Sequence, residues 1–190
     1  MGAPGAPGSL DFGGFAKGYS VGNAVELIET KGIKNFIVNA GGDLCTRGSR
    51  GKRPWQIGIR DPDGSGIFAK ISVKTNGCIF TSGGYERYFW HNGRRYHHIL
   101  DPRTGYPASG SASATVITED PTLADAASTA IFVAGPAYLE EISKSMGIRY
   151  FLLIDEEGNV FISDQLLDQI EFIERPKSVT KISLEHLRAQ

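Results

Sequence analysis

The spacing of apolar residues changes several times along the chain, and each change marks an element. Val21, Ala24, Val25 and Ile28 fall at i, i+3, i+4 and i+7, which predicts a helix that opens near Phe15 and ends before Gly32. The run Asn35-Phe-Ile-Val-Asn39 suits a buried strand and leads into a turn at Ala40-Gly-Gly-Asp43. Trp55 to Arg60 alternates with period two before the turn Asp61-Pro-Asp-Gly64, and Ile71 and Val73 alternate in the next strand. Further strands are predicted at Tyr85 to Trp90, Arg94 to Leu100 and Ala112 to Thr118, the first two joined by His91-Asn-Gly93, a strong hairpin signal. A second helix starts at Asp120 as N-cap and Pro121 as first helical residue, with Leu123, Ala127, Ala130, Ile131 and Ala134 on one face. Gly135-Pro136 is expected to stop it and start a third helix, in which Leu139, Ile142 and Met146 share a face before Gly147. Tyr150 to Ile154 and Val160 to Ile162 then form a hairpin around Asp155-Glu-Glu-Gly158, and after Asp164 the apolar pattern weakens. Hairpins and helices do not alternate as βαβ units, so the expected class is α+β, a mainly antiparallel sheet with helices packed on it.

Composition narrows the class without naming a function. The 190 residues are 41% hydrophobic and 22% charged, enough apolar content for one domain with a sizeable core. Lys+Arg 20 against Asp+Glu 21 leaves no broad basic footprint, which argues against a nucleic-acid partner. Local basic clusters at Arg47, Arg50, Lys52 and Arg53, and at Arg87, Arg94 and Arg95, read first as solvated surface, with one anionic ligand as the alternative. Cys45 and Cys78 are too few for a disulfide framework or a Cys-rich zinc site; a single bridge between them stays open. Residues 1–10, rich in Gly, Pro and Ala, lack the features of a signal peptide and read as a flexible arm or a fusion remnant. The expected organisation is this arm, a domain over 11–175 and a tail over 176–190.

Five segments carry residue types suited to chemistry. Asp11-Phe-Gly-Gly-Phe-Ala-Lys-Gly-Tyr19 lies at a helix entrance, where glycines admit a ligand to the backbone and the helix N-terminus favours an anion; a plain capped helix is the bland alternative. Asn39-Ala-Gly-Gly-Asp43 reads as a β-turn or a pocket rim, and Thr81-Ser-Gly-Gly84 offers hydroxyls beside glycines. The aromatic residues after it are expected in core and cross-strand packing. In Tyr96-His-His-Ile-Leu-Asp-Pro-Arg-Thr-Gly105 the two histidines point to opposite faces of a strand, so one is a candidate acid–base group and the other structural. Asp125 and Thr129, at i and i+4, form a pair of hard oxygen donors suited to Mg²⁺, unless Thr129 only bonds back to its own helix and Asp125 only complements the dipole.

Together these segments resemble the ApbE family of FAD:protein FMN transferases. The motifs appear in order as Asp11-x-Gly-Gly-x-Ala-Lys-Gly-Tyr19, Asn39-Ala-Gly-Gly-Asp43, Thr81-Ser-Gly83, His98-Ile-Leu-Asp-Pro-Arg-Thr-Gly105 and Asp125-Ala-x-Ser-Thr129. The resemblance implies binding of FAD and Mg²⁺ and transfer of FMN to a Thr or Ser hydroxyl of a target flavoprotein, with release of AMP. It implies metal ligands at Asp125, Thr129 and the backbone of Gly14. Flavin-nucleotide contacts are implied at Asp11, Gly14, Lys17, Gly41, Gly42, Thr81, Ser82 and Ile99, and a catalytic role at His98. It suggests a bacterial cell-envelope setting and an acceptor that belongs to a redox complex.

The chain departs from the family pattern in two respects. Family members carry a substantial region before the first motif, here ten residues, and often have Asp where this chain has Gly84. Two other functions are therefore weighed: an FAD pyrophosphatase that yields FMN and AMP, and a non-catalytic flavin-binding or scaffolding module. Exposed sheet edges would favour a homodimer.

Overall fold

A computed structural model of the chain describes residues 11–64 and 66–184; the N-terminal arm and the last six residues of the expected tail lie outside them. In chain order the elements are helix α1 (Ala16–Thr30), strands β1 (Phe36–Ala40), β2 (Asp43–Arg47), β3 (Trp55–Arg60), β4 (Ile67–Val73), β5 (Gly77–Gly83), β6 (Tyr88–His91), β7 (Arg94–His97) and β8 (Ser113–Thr118). Then come helix α2 (Pro121–Ser145), strands β9 (Tyr150–Ile154) and β10 (Asn159–Ser163), helix α3 (Asp164–Leu167), and strands β11 (Ile170–Phe172) and β12 (Ser178–Ile182). The strands form a seven-stranded sheet ordered β1-β2-β5-β8-β9-β10-β12, a three-stranded sheet β11-β4-β3 and the hairpin β6-β7. All pairs are antiparallel except β10-β12. The architecture is α+β.

The central strands β5, β8 and β9 of the large sheet are largely buried on both faces, which is why β9 reads as a continuous apolar run rather than as alternation. Cys45, Cys78, Phe80, Ala114, Val116, Phe151 and Leu153 pack under α1 and α2. Their neighbours Leu44, Ile79, Leu152, Ile154, Val160 and Ile162 face the other way, against Ile57, Ile59, Phe68 and Ile71 of the small sheet. Helices α1 and α2 thus occupy one side, as the pattern predicted, while the second sheet and the short helix α3, through Leu166, cover the other. Cys45 and Cys78 stand opposite each other in the β2-β5 register and form a disulfide. Among the described residues no helix is long and apolar enough to cross a membrane.

The sequence-based boundaries shift in identifiable places. The strand expected at Tyr85 to Trp90 begins only at Tyr88, because the chain turns at Gly84-Tyr85; a side chain at Gly84 would press on the His97 ring, 2.9 Å from its Cδ2. Its aromatics are not core residues: Tyr88, Phe89 and Trp90 are exposed, although Phe89 stacks on Tyr96 across the hairpin at 5.4 Å as cross-strand packing requires. Asp120 caps α2 as predicted, its Oδ1 accepting from the backbone N–H groups of Thr122 and Leu123. Gly135 (φ 63°, ψ −177°) breaks the helical geometry and Pro136 opens a new helical segment, so the stop and restart expected at Gly135-Pro136 are present, the two helices meeting across a kink within Pro121–Ser145. Residues 178–182, read from the sequence as part of a tail, pair with β10.

Candidate active site

The site is built where α1 and α2 touch. A Cβ on Gly18 would lie 2.2 Å from the Pro121 carbonyl oxygen and 2.8 Å from the Asp125 Cβ, so only glycine lets the two backbones meet. At this contact the Gly18 N–H donates to Asp125 Oδ2 at 2.7 Å. Asp125 is buried, and burial followed by the nearby Asp43 carboxylate pushes its pKa up, against the pull of the Gly18 N–H and of Lys17. One turn on, the Thr129 hydroxyl makes a long 3.4 Å bond to the Asp125 carbonyl and lies 3.1 Å from Ser82 Oγ, which also bonds Ser128 Oγ. Back-bonding therefore occurs, but it does not isolate Thr129 from the cleft.

Asp43 ties this joint to the sheet. It heads β2 and is buried; Oδ2 accepts from the Lys17 ammonium at 2.5 Å, and Oδ1 accepts from the Thr81 N–H at 2.7 Å. Burial alone would lower the Lys17 pKa, but the hydrogen bond and charge of Asp43 outweigh it and hold the pKa above its usual value. The Gly41-Gly42 turn that delivers Asp43 has φ of 71° and 109°, which glycine adopts without strain, and Asn39 Oδ1 accepts from the Gly42 N–H. On the entrance side, Asp11 Oδ1 accepts from the Gly13 N–H at 2.7 Å and shapes the approach to α1.

The two adjacent histidines divide as strand geometry requires. His97 is buried; its Nε2–H donates to the Ala108 carbonyl, its Nδ1 accepts from the Ile99 N–H, and its ring meets Phe132 edge-on. Burial lowers its pKa, so it is a neutral, structural residue. His98 is exposed on the opposite side. Its Nδ1 lies 3.3 Å from the Arg87 carbonyl oxygen, which can only accept. That bond makes Nδ1 the donor, so in the neutral ring the acceptor lone pair belongs to Nε2. After Ile99 the chain is pinned by Asp101, whose carboxylate accepts from Arg103 Nε and Nη2 and from the Arg103 backbone N–H.

These groups line one cleft of about 460 Å³. Asp11, Gly14, Lys17, Thr81, Ser82, His98, Ile99, Asp125 and Thr129 all border it. Gly41 and Gly42 do not: they border an adjoining cavity of about 150 Å³ that shares Asp43, Thr81 and Glu86 with the first. A cavity of about 450 Å³ at the opposite end of β5 and β8, beside Lys74, Thr118 and Arg149, holds none of these groups. Sequence reasoning missed Asp43 as a site residue although it stands in a quoted motif, because only its turn was read. It also missed Gly18, which stands in the first motif, and Glu86, which carried no motif signal; Arg87 was read only as part of a basic cluster.

The lining sets the charge problem that a ligand must solve. Asp11, Asp43, Glu86 and Asp125 face the cleft against Lys17 and Arg87, so a pyrophosphate could not enter without further positive charge. Among the described residues no three His, Cys, Asp or Glu side chains cluster as a metal cage. One carboxylate with neighbouring hydroxyls is instead the donor set that Mg²⁺ uses when phosphate and water complete its shell, so Asp125, Thr129 and Ser82 fit that ion.

Comparison with known proteins identifies a family. The model of the ApbE family matches residues 3–152. The FAD:protein FMN transferase of Rhodobacter capsulatus is 37% identical over 177 residues, covering 92% of this chain and 34% of its own length. That of Escherichia coli K12 is 34% identical, covering 80% and 44%. Among solved structures, the ApbE protein of Thermotoga maritima aligns with a TM-score of 0.78 and 43% identity over 85% of this chain and 53% of that one. The flavin transferase ApbE of Vibrio cholerae aligns with a TM-score of 0.70 and 28% identity, over 82% and 50%. The chain spans about a third to a half of the length of these relatives. With a family model that matches most of its length and relatives of this identity and coverage, the chain belongs to the ApbE family.

Proposed function

We propose that this chain carries the catalytic cleft of an Mg²⁺-dependent FAD:protein FMN transferase. The observation that supports this most is the convergence on one cleft of an exposed histidine with a fixed tautomer, a buried carboxylate–hydroxyl pair and a lysine locked to Asp43. The relatives that match carry the same activity in their names.

In the reaction, the hydroxyl oxygen of an acceptor Thr or Ser attacks the FMN-side phosphorus of FAD. The bond from that phosphorus to the bridging oxygen breaks, AMP leaves with the bridging oxygen, and FMN remains on the acceptor as a phosphodiester. His98 Nε2 takes the hydroxyl proton; the Arg87 carbonyl on Nδ1 keeps that nitrogen in the basic tautomer. Lys17, held by Asp43, supplies a fixed positive charge beside the phosphates. Mg²⁺, when bound by Asp125, Thr129 and the Gly14 backbone, would offset the charge of the pyrophosphate. The Gly18 N–H binds Asp125 Oδ2 and so helps to orient the carboxylate, leaving Oδ1 for the ion.

The test is FAD binding by calorimetry with and without Mg²⁺. Binding is expected to require the ion and to fall at least tenfold in Asp125→Ala, while Asp11→Ala keeps the ion dependence. Ion-dependent binding of unchanged strength in Asp125→Ala would overturn the assignment.

A further inference from the structure

The hairpin β6-β7 is set apart from the rest of the fold in three ways. It belongs to neither of the larger sheets, and the outer side of β6 has no strand beside it among the described residues. It exposes large aromatics: Tyr88 is 49%, Phe89 63% and Trp90 65% exposed. Residues 87–98 also contain three arginines and no Asp or Glu. An exposed strand edge with aromatic side chains is a hazard unless something covers it in use.

The hairpin is also joined directly to the proposed base. Arg87, at the foot of β6, accepts at its carbonyl from the His98 backbone N–H and from His98 Nδ1, so the base of the hairpin is tied to the imidazole. The side chains are held for contact: Phe89 stacks on Tyr96, Tyr88 meets Trp90 edge-on at 6.3 Å, and Arg95 lies over the Tyr88 ring. A segment laid along β6 would run toward Arg87, which lines the cleft together with His98.

We propose that β6 is the docking edge for the acceptor protein, and that its occupant is an extended, acidic segment carrying the Thr or Ser hydroxyl. The segment adds as a strand to β6, with backbone hydrogen bonds supplying register. Phe89 and Trp90 anchor it, and Arg87 and Arg95 select for its carboxylates. The inference rests on the transfer reaction proposed above. A lipid surface would also take aromatics and arginines, but it gives no reason for the edge to be fixed to the imidazole.

The test uses the whole chain with FAD, Mg²⁺ and a purified flavoprotein subunit bearing an acceptor Thr, comparing wild type with Phe89→Ser/Trp90→Ser. Both side chains are mostly exposed, so the fold is expected to hold, and thermal melting checks this. The KM for the acceptor is expected to rise at least tenfold, with kcat at saturating acceptor and FAD affinity within twofold of wild type. Arg95→Glu should raise the same KM and reduce its dependence on salt. An unchanged acceptor KM in a wild type that does transfer FMN overturns the docking edge alone. No transfer by wild type overturns the reaction on which it rests. Binding of wild type to phosphatidylglycerol vesicles that the double variant loses, with acceptor KM unchanged, would overturn it in favour of a lipid surface.

Discussion

Gly18→Ala tests whether the meeting of α1 and α2 is what organises the cleft. The added methyl would sit 2.2 Å from the Pro121 carbonyl oxygen and 2.8 Å from both the Pro121 carbonyl carbon and the Asp125 Cβ. None of these atoms is the end of a flexible side chain, so the helices must part by roughly 1 Å to reach ordinary contact. The same displacement stretches the 2.7 Å bond from the Gly18 N–H to Asp125 Oδ2 beyond useful hydrogen-bond length. Overpacking costs about 1–3 kcal/mol and a lost bond to a carboxylate about 1.5–3 kcal/mol, partly the same displacement, so the sum is taken as about 3 kcal/mol. For a domain of this size that lowers Tm by about 6–12 °C. Gly14→Ala is the control, since a methyl there meets nothing within 4 Å. Differential scanning calorimetry should show the drop only in Gly18→Ala, and titration with FAD and Mg²⁺ should show weakened binding beyond the loss of folded protein. A Gly18→Ala variant that melts within 1 °C of wild type with the same FAD affinity would refute the reasoning.

Two other perturbations read the site and its support separately. Lys17→Met leaves Asp43 buried with only the Thr81 N–H as partner; because Lys17 itself is 42% exposed, the expected loss is about 1–2 kcal/mol in urea unfolding. In Lys17→Met/Asp43→Asn the loss should be smaller than the sum of the two single losses, and strict additivity would show the pair to be uncoupled. Burial holds the His97 pKa below its ordinary value of about 6.5, so the unfolded chain takes up that proton first as pH falls. Its contribution to stability is full above that pH and declines as pH falls toward the folded pKa. The Tm of wild type should therefore drop more between pH 7 and pH 5 than that of His97→Gln, and parallel profiles would remove His97 from the account.

Much of the fold is legible in the sequence where one period dominates. Val21 and Val25 mark the buried stripe of α1, Asp120-Pro121 marks the start of α2, and Asn92-Gly93 forms the β6-β7 turn with φ of 49° and 72°. β2 and β5 escape because Asp43 to Arg47 and Gly77 to Gly83 are buried on both faces and mix small polar residues with apolar ones, so neither shows alternation. β12 escapes for the opposite reason, being almost wholly exposed on the edge of the sheet. That His97 and His98 face opposite ways follows from strand alternation, but which of the two is buried does not. The role of Asp43 does not, since its partners Lys17 and Thr81 lie 26 and 38 residues away. Gly18 is silent for the same reason: only the approach of a helix 107 residues further on gives it a role.

The most direct test of the central claim is the intact mass of an acceptor flavoprotein subunit after incubation with this chain, FAD and Mg²⁺. The account predicts a mass gain of one FMN on the acceptor with one AMP released per gain, abolished by EDTA and by His98→Ala. AMP and FMN released in solution with no gain on any hydroxyl-bearing acceptor, or a gain that His98→Ala leaves intact, would contradict it.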